Sequence, residues 1–279
     1  AIQLSFAPGD VGELHYGENI NIIRDAVVFY RPNKHWNISF GQTKLPGNRQ
    51  RVNSSGGLQL TDRTINNAKF TIDRDFGFQF HNLNEFKDKF SYNFKTAIST
   101  GEGRNVTGKS DDGVAVTGKI ELQPLGAFTK DGTYFEGDVI REKKPKLLLS
   151  GAFQQNNQAR RTQGQLGSDL FERRTMKSVL LDGMFKYNGW AAMMSYMSRT
   201  TTKNALTYNP NDLTEFNYVF VGEGFDYQAS YVTKSNYEFI ARYSLQNVGK
   251  DIAPFTPNTR EYSIGVTKYI WEHTFKLQT

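Results

Sequence analysis

The chain of 279 residues has no cysteine, only four histidines and three tryptophans, and eight prolines. Without cysteine no disulfide can form, which fits an exported bacterial chain that does without them. No run of about 18 apolar residues occurs, which excludes a membrane-spanning helix. It does not exclude a membrane barrel, whose strands carry one apolar and one polar face and so average out as polar. The formal charge is +6 and the pI about 9.3, yet the cations are spread along the chain. No Lys/Arg block of the kind that marks nucleic-acid patches is present, so no nucleic-acid partner is expected.

Catalytic and metal signatures are missing too. His15, His35, His81 and His273 include no pair at metal-ligand spacing, and with no cysteine a zinc site is not expected. There is no G-x-S-x-G nucleophile elbow, and no carboxylate pair stands out. No enzyme and no cofactor are predicted. Gly103-Arg104-Asn105-Val106-Thr107-Gly108-Lys109-Ser110 matches the phosphate-cradling pattern. That pattern works only where the loop opens a helix; here Asp111-Asp112-Gly113 and an alternating strand follow. No leader precedes Ala1-Ile2-Gln3-Leu4, which already reads as strand, so a processed boundary is expected there.

What the chain does have is aromatic residues, 21 Phe and 14 Tyr, beside a polar mean hydropathy of −0.58. Alternation with period two reconciles the two facts. Phe76, Phe78 and Phe80 alternate with Gly77, Gln79 and His81; Phe90, Tyr92, Phe94 and Ile98 alternate with Ser91, Asn93, Lys95 and Ser99. Tyr237, Phe239, Tyr243 and Leu245 alternate with Glu238, Arg242, Ser244 and Gln246. This reading predicts about thirteen strands, near 1–6, 20–30, 35–42, 75–82, 88–100, 114–123, 146–155, 177–187, 190–200, 223–232, 236–247, 260–270 and 273–279.

The connections alternate between long (7–19, 43–74, 101–113, 156–176, 201–222, 248–259) and short (31–34, 83–87, Asn188-Gly189, 233–235, 271–272). Tight turns at one end and long loops at the other are the mark of an antiparallel up-and-down transmembrane β-barrel in a bacterial outer membrane. Strands of about eleven residues suit a tilted bilayer crossing, whereas soluble strands average about five or six. Tyr30, Trp36, Tyr187, Trp190, Tyr269 and Trp271 fall near short turns, where an interfacial aromatic girdle would lie. Residues 124–145 break the rhythm: a short turn belongs there, and the segment has no place in the scheme.

Residues 1–279 therefore read as one barrel domain. Within it the 43–74 connection carries Lys44, Arg49, Arg51 and Arg63 against Asp62. It is either a solvated outer loop or a loop folded into the lumen as a constriction, where guanidinium groups would bind oxyanions through forked hydrogen bonds. Lys89, Lys95, Lys119, Arg199 and Arg242 fall on the inferred lumen face, partly offset by Glu121, Asp182 and Glu238. A mildly positive lumen favours anions.

Several stretches also resemble the phosphate-selective porin O and P family: Asp25-Ala26-Val27-Val28-Phe29-Tyr30, Ile38-Ser39-Phe40-Gly41-Gln42-Thr43-Lys44-Leu45-Pro46, Ser54-Ser55 with Leu58-Gln59-Leu60-Thr61-Asp62-Arg63, Arg74-Asp75-Phe76-Gly77-Phe78-Gln79, and Glu238-Phe239-Ile240-Ala241-Arg242-Tyr243-Ser244. The resemblance implies a sixteen-stranded outer-membrane barrel, a homotrimer, passing phosphate or other small anions. It implies two further strands before Ile2 and one after Thr279, or a partner chain that closes the gap. It also implies a pore-narrowing role for Lys44, Arg49, Arg51 and Arg63. The family's ladder of lumen arginines is not found along the later strands, so an anion-leaning general porin is the expectation. Two rival readings are a structural barrel subunit of a larger envelope assembly, for export or nutrient uptake, and an outer-membrane hydrolase barrel.

Overall fold

The structure, a computed structural model, describes residues 1–6, 22–86, 89–106 and 113–279. Alternating side chains give extended backbone, and the strands pair in chain order. Thirteen of them form one antiparallel sheet: β1 (Ile2–Leu4), β2 (Ile23–Tyr30), β3 (Trp36–Lys44), β4 (Arg74–Phe86), β5 (Phe90–Ser99), β6 (Ala115–Gln123), β7 (Lys146–Arg161), β8 (Asp169–Tyr187), β9 (Trp190–Thr201), β12 (Gly222–Val232), β13 (Tyr237–Val248), β14 (Thr259–Trp271) and β15 (Phe275–Gln278). A separate hairpin, β10 (Leu206–Asn209) with β11 (Asp212–Tyr218), stands in the connection after β9. Among the described residues β1 pairs only with β2 and β15 only with β14.

The sheet is apolar on its exposed face and polar on its buried one. On β4, Phe78 is 50% exposed and Gln79 3%; on β13, Phe239 is 55% exposed and Glu238 0%. This inverts the usual arrangement, in which strand faces bury their apolar side chains. The turn chemistry is local. Asn188 and Gly189 both have positive φ (49° and 90°), the geometry of a two-residue type I′ hairpin. A Cβ on Gly189 would also lie 2.7 Å from the Val232 carbonyl.

Two segments cover the polar face. The first, 45–73, contains α1 (Arg49–Val52), a 3-10 turn (Ser55–Gly57) and α2 (Ile65–Phe70). Thr64 caps α2 by accepting from the Asn67 N–H, which satisfies one free donor of its first turn. The segment touches strands almost all round the sheet. Lys119 on β6 donates to the Gly47 carbonyl (2.8 Å), Arg199 on β9 to Lys69 (2.6 Å), Arg242 on β13 to Asp62 (2.9 Å), and Thr267 on β14 to Gln59 (3.2 Å). One segment can reach all these strands only if the sheet curls round it. Gly224 on β12 makes the closest approach possible, since a Cβ there would meet Asn66 Oδ1 at 2.2 Å. Leu45, Phe70 and Ile72 anchor the segment in a small core with Ala152, Met176, Leu180, Met197 and Phe220. Each of these buried side chains except Ala152 contributes about 1.5–3 kcal/mol.

The second segment is 124–145, and the structure supplies the place it lacks in the sequence. It folds across the tight-turn end of the sheet. The Asn188 and Gly189 amides donate to the Glu142 carbonyl (3.0 Å) and Asp138 Oδ2 (2.8 Å). Arg141 donates to the carbonyls of Val232 (3.0 Å) and Thr233, and Phe135 stacks on His273, ring centres 4.1 Å apart. Lys186 on β8 holds it from inside, donating to the carbonyls of Gly132 (2.8 Å), Phe135 (3.0 Å) and Gly137 (2.9 Å).

Other expectations are corrected. The 156–176 connection is mostly strand: β7 runs to Arg161 and β8 starts at Asp169, with bulges between Asn156 and Arg161. The polar run Gln154-Gln155-Asn156-Asn157-Gln158 has no apolar beat to reveal it. β4 likewise continues to Phe86 through the expected 83–87 turn. Tyr269 is not a girdle residue: it is 1% exposed and donates to Glu238 on the polar face. Lys89 lies in the turn ahead of β5 and is exposed, not on the polar face. Of the phosphate-loop match, residues 107–110 lie outside the described residues, while 103–106 form a turn ahead of β6.

Lys186→Met should free the 124–145 segment. A hydrogen bond to a charged group is worth about 1.5–3 kcal/mol, so the loss should exceed about 3 kcal/mol. Amide exchange over Gly132–Gly137 should quicken by roughly a hundredfold or more. Unchanged protection there would contradict the clamp.

Candidate functional site in the covered interior

The cations of the 43–74 connection separate into two places. Lys44, Arg51 and Arg63 gather with Arg24 of β2 and Arg74 of β4. Arg51 grips Asp73 through both oxygens (Nε to Oδ1 2.7 Å). Arg74 grips Asp25 the same way (3.0 and 3.1 Å) and stands 3.8 Å from Asp73. Lys44 donates to the Val52 carbonyl (2.9 Å), and Arg63 to the Gln50 carbonyl (2.7 Å). Among the described residues five cations thus share two carboxylates, and Arg24 Nε has no hydrogen-bond partner. Burial opposes the charge on Asp73, but the hydrogen bond and charge of Arg51, then Arg74, outweigh it and hold the carboxyl below its ordinary range. Burial, then repulsion from Arg51 and Arg24, partly offset by Glu136, pulls Arg63 below the usual arginine value.

Arg49 sits apart from this group. It is 8% exposed. Its backbone N–H donates to Asp182 Oδ2 (3.2 Å), but its side-chain Nε and Nη2 have no partner. Burial lowers its pKa, with Glu121 and then Asp182 and Glu136 opposing. A buried group with unmet donors calls for water or an ion. Arg49 lines a cavity of about 90 Å³ whose other charged residues are Lys95, Lys119, Glu85, Glu121 and Asp131, and Asn53 Nδ2 is also unpartnered among the described residues. A water needs roughly 10–15 Å³ by this measure, so the space holds several waters or one small oxyanion. A second cavity, about 30 Å³, adjoins Arg49, Asp182, Met197 and Asp226.

Apart from Lys89, the remaining predicted cations are on the polar face but engaged. Lys95 and Lys119 both pair with Glu121 (2.7 and 3.1 Å). Arg199 and Arg242 hold carbonyls of the 45–73 segment, and Arg242 also pairs with Glu261 (3.0 Å).

Three further acids meet the segment, of which the sequence reading named Glu238 and missed Asp226 and Glu136. Asp226 accepts from Thr64 (3.1 Å), Asn66 (2.8 Å) and Ser195 (2.8 Å). Glu136 accepts from the Gln59 amide (2.9 Å) and Gln228 (3.2 Å), and Glu238 from Ser230 (2.7 Å), Gln59 and Tyr269. The break in loop rhythm at 124–145 was the one signal that could have brought Glu136 inside.

Comparison with protein-family models, with curated proteins and with solved structures returns no match.

His273 gives a pH test of the tight-turn end. Burial, then Lys276 and Lys186, lowers its pKa to about 3, against about 6.5 when unfolded. The unfolded chain therefore binds the extra proton first, and stability is lost as pH falls from about 6.5 towards 3. Between pH 7 and 4 the thermal midpoint should fall further for the natural chain than for His273→Phe, which keeps the stack without the charge. Equal falls would contradict this role.

Proposed function

We propose that the chain is a passive outer-membrane pore with a preference for small anions such as phosphate, not an enzyme. The membrane part is supported by the inverted sheet: apolar side chains outside and polar ones inside suit hydrocarbon around a wet lumen. Unpaired strand edges are not tolerated in lipid. A closed barrel would leave no such edge; sixteen strands and a homotrimer are what the resemblance to the porin family adds to this reading.

The anion part rests on Arg49. Among the described residues it is the one cation of the 43–74 connection with buried side-chain donors left unmet, and it borders the 90 Å³ cavity. The basic group of Arg24, Lys44, Arg51, Arg63 and Arg74 lies along the same segment and would draw anions towards it. With 45–73 and 124–145 both inside, the passage is narrow.

A second reading has one observation in its favour. Two segments fill much of the interior, as in a barrel serving as a structural subunit of a larger envelope assembly for export or nutrient uptake. That reading expects a stable co-purifying envelope protein and no conductance.

Purified protein in planar bilayers should conduct, with a reversal potential in a chloride or phosphate gradient on the anion side. Arg49→Gln should move that potential towards neutrality. Cation preference in the natural chain would remove the anion reading, and absence of any conductance would remove the pore.

A further inference from the structure

The outer wall of β7 and β8 dips where Gly151 and Gly183 stand. Both lie on the apolar face, in register opposite Leu181 and Leu149. With Tyr196 and Phe225 these residues border a groove of about 530 Å³. Neither glycine has a positive φ. A Cβ on Gly183 would meet nothing nearer than Leu149 Cδ2 at 3.9 Å, so the backbone does not require glycine there. A side chain would simply fill the groove.

The same two strands become basic towards the long connections. Phe153 and Val179 are followed by the pair Gln155 and Lys177, and beyond them lie Arg160 and Arg173. Lys177 is exposed, and its side chain has no ion pair or hydrogen bond among the described residues. Arg160 and Arg173 flank Glu102 (3.5 and 3.3 Å), and Arg160 and Arg161 approach Asp169 (3.3 and 3.8 Å). Among the described residues Arg160, Arg161 and Arg173 thus meet Glu102 and Asp169, on one side of Phe153 and Val179, with the groove on the other. From Lys177 to Gly183 is roughly 20 Å of strand at about 3.3 Å per residue. On a strand tilted by about 45° that spans close to half of a 30 Å hydrocarbon core.

We propose that this groove holds an acyl chain of a phosphate-bearing lipid in the outer leaflet, its phosphate against Lys177, Arg173 and Arg160. The commitment to a lipid follows from the arrangement of charge: cations crowning an apolar trough complement an anionic head on a hydrocarbon tail. The proposal rests on the membrane reading above, though not on ion selectivity.

Native mass spectrometry in mild detergent tests it, with dimyristoyl phosphatidic acid, dimyristoyl phosphatidylcholine and inorganic phosphate as probes. The barrel should retain phosphatidic acid about tenfold more than phosphatidylcholine, in line with a tenfold step for 1.4 kcal/mol. Lys177→Gln should remove most of that preference. Gly183→Leu should lower retention of both lipids, with strand content by circular dichroism unchanged. Equal retention of the two lipids, or variants that bind like the natural chain, would overturn the site. So would inorganic phosphate displacing the lipid, which would mark an ion site alone. Flotation with phosphatidylcholine liposomes separates the failures: protein that floats but shows no lipid preference loses only this site, and protein that does not float loses the membrane reading with it.

Discussion

A chain that carries loops into its own interior must find donors for their backbone carbonyls, since an unpaired buried polar group costs about 1–3 kcal/mol. Here the donors are long cationic side chains. Lys44, Arg63, Lys119, Arg199, Arg242 and Lys276 each donate to a carbonyl of the 45–73 segment. Lys186 alone serves three carbonyls of 124–145. Seven of the chain's 34 lysines and arginines are thereby taken up in holding its filling in place. The apolar anchors Leu45, Phe70 and Ile72 add packing at one end of the segment, but the far end is held by hydrogen bonds from Lys276 and Gln278 of β15 to Leu58 and Gln59.

That use of charge decides what is left for a solute. Arg51 and Arg74 are tied to Asp73 and Asp25, and Lys95 and Lys119 to Glu121. Arg49 is different because α1 holds its backbone against Asp182 while its guanidinium borders two cavities. The basic group lies near β2–β4, whereas Asp226 and Glu238 stand on β12 and β13.

The strands were legible because period-two alternation needs only the class of each side chain. It placed Lys95, Lys119, Arg199 and Arg242 on the buried face, and their burial agrees. What those cations bind was not legible, since a carbonyl partner leaves no mark in sequence. The ends of β7 and β8 were missed because glutamine and asparagine stand on both faces there. Tyr269 was misassigned because its residue type suggested a girdle, while its register with Lys276 and its bond to Glu238 turn it inward. The 124–145 segment was visible only as an irregularity, because its docking depends on turns that lie 45 to 150 residues further along. The sequence left the 43–74 connection open between an outer loop and one folded inward; residues 45–73 pack on the polar face of the sheet. Transport by that loop remains the proposal.

The central claim is that the apolar face of this sheet meets lipid and the polar face does not. The natural absence of cysteine makes a site-by-site measurement clean: single cysteines along β13, from Tyr237 to Gln246, carry spin labels in liposomes. Labels at 237, 239, 241, 243 and 245 should be relaxed by oxygen, which concentrates in hydrocarbon, and hardly by a water-soluble nickel chelate. Labels at 238, 240, 242, 244 and 246 should be shielded from oxygen. Equal access of the nickel chelate to the odd-numbered positions would contradict the account.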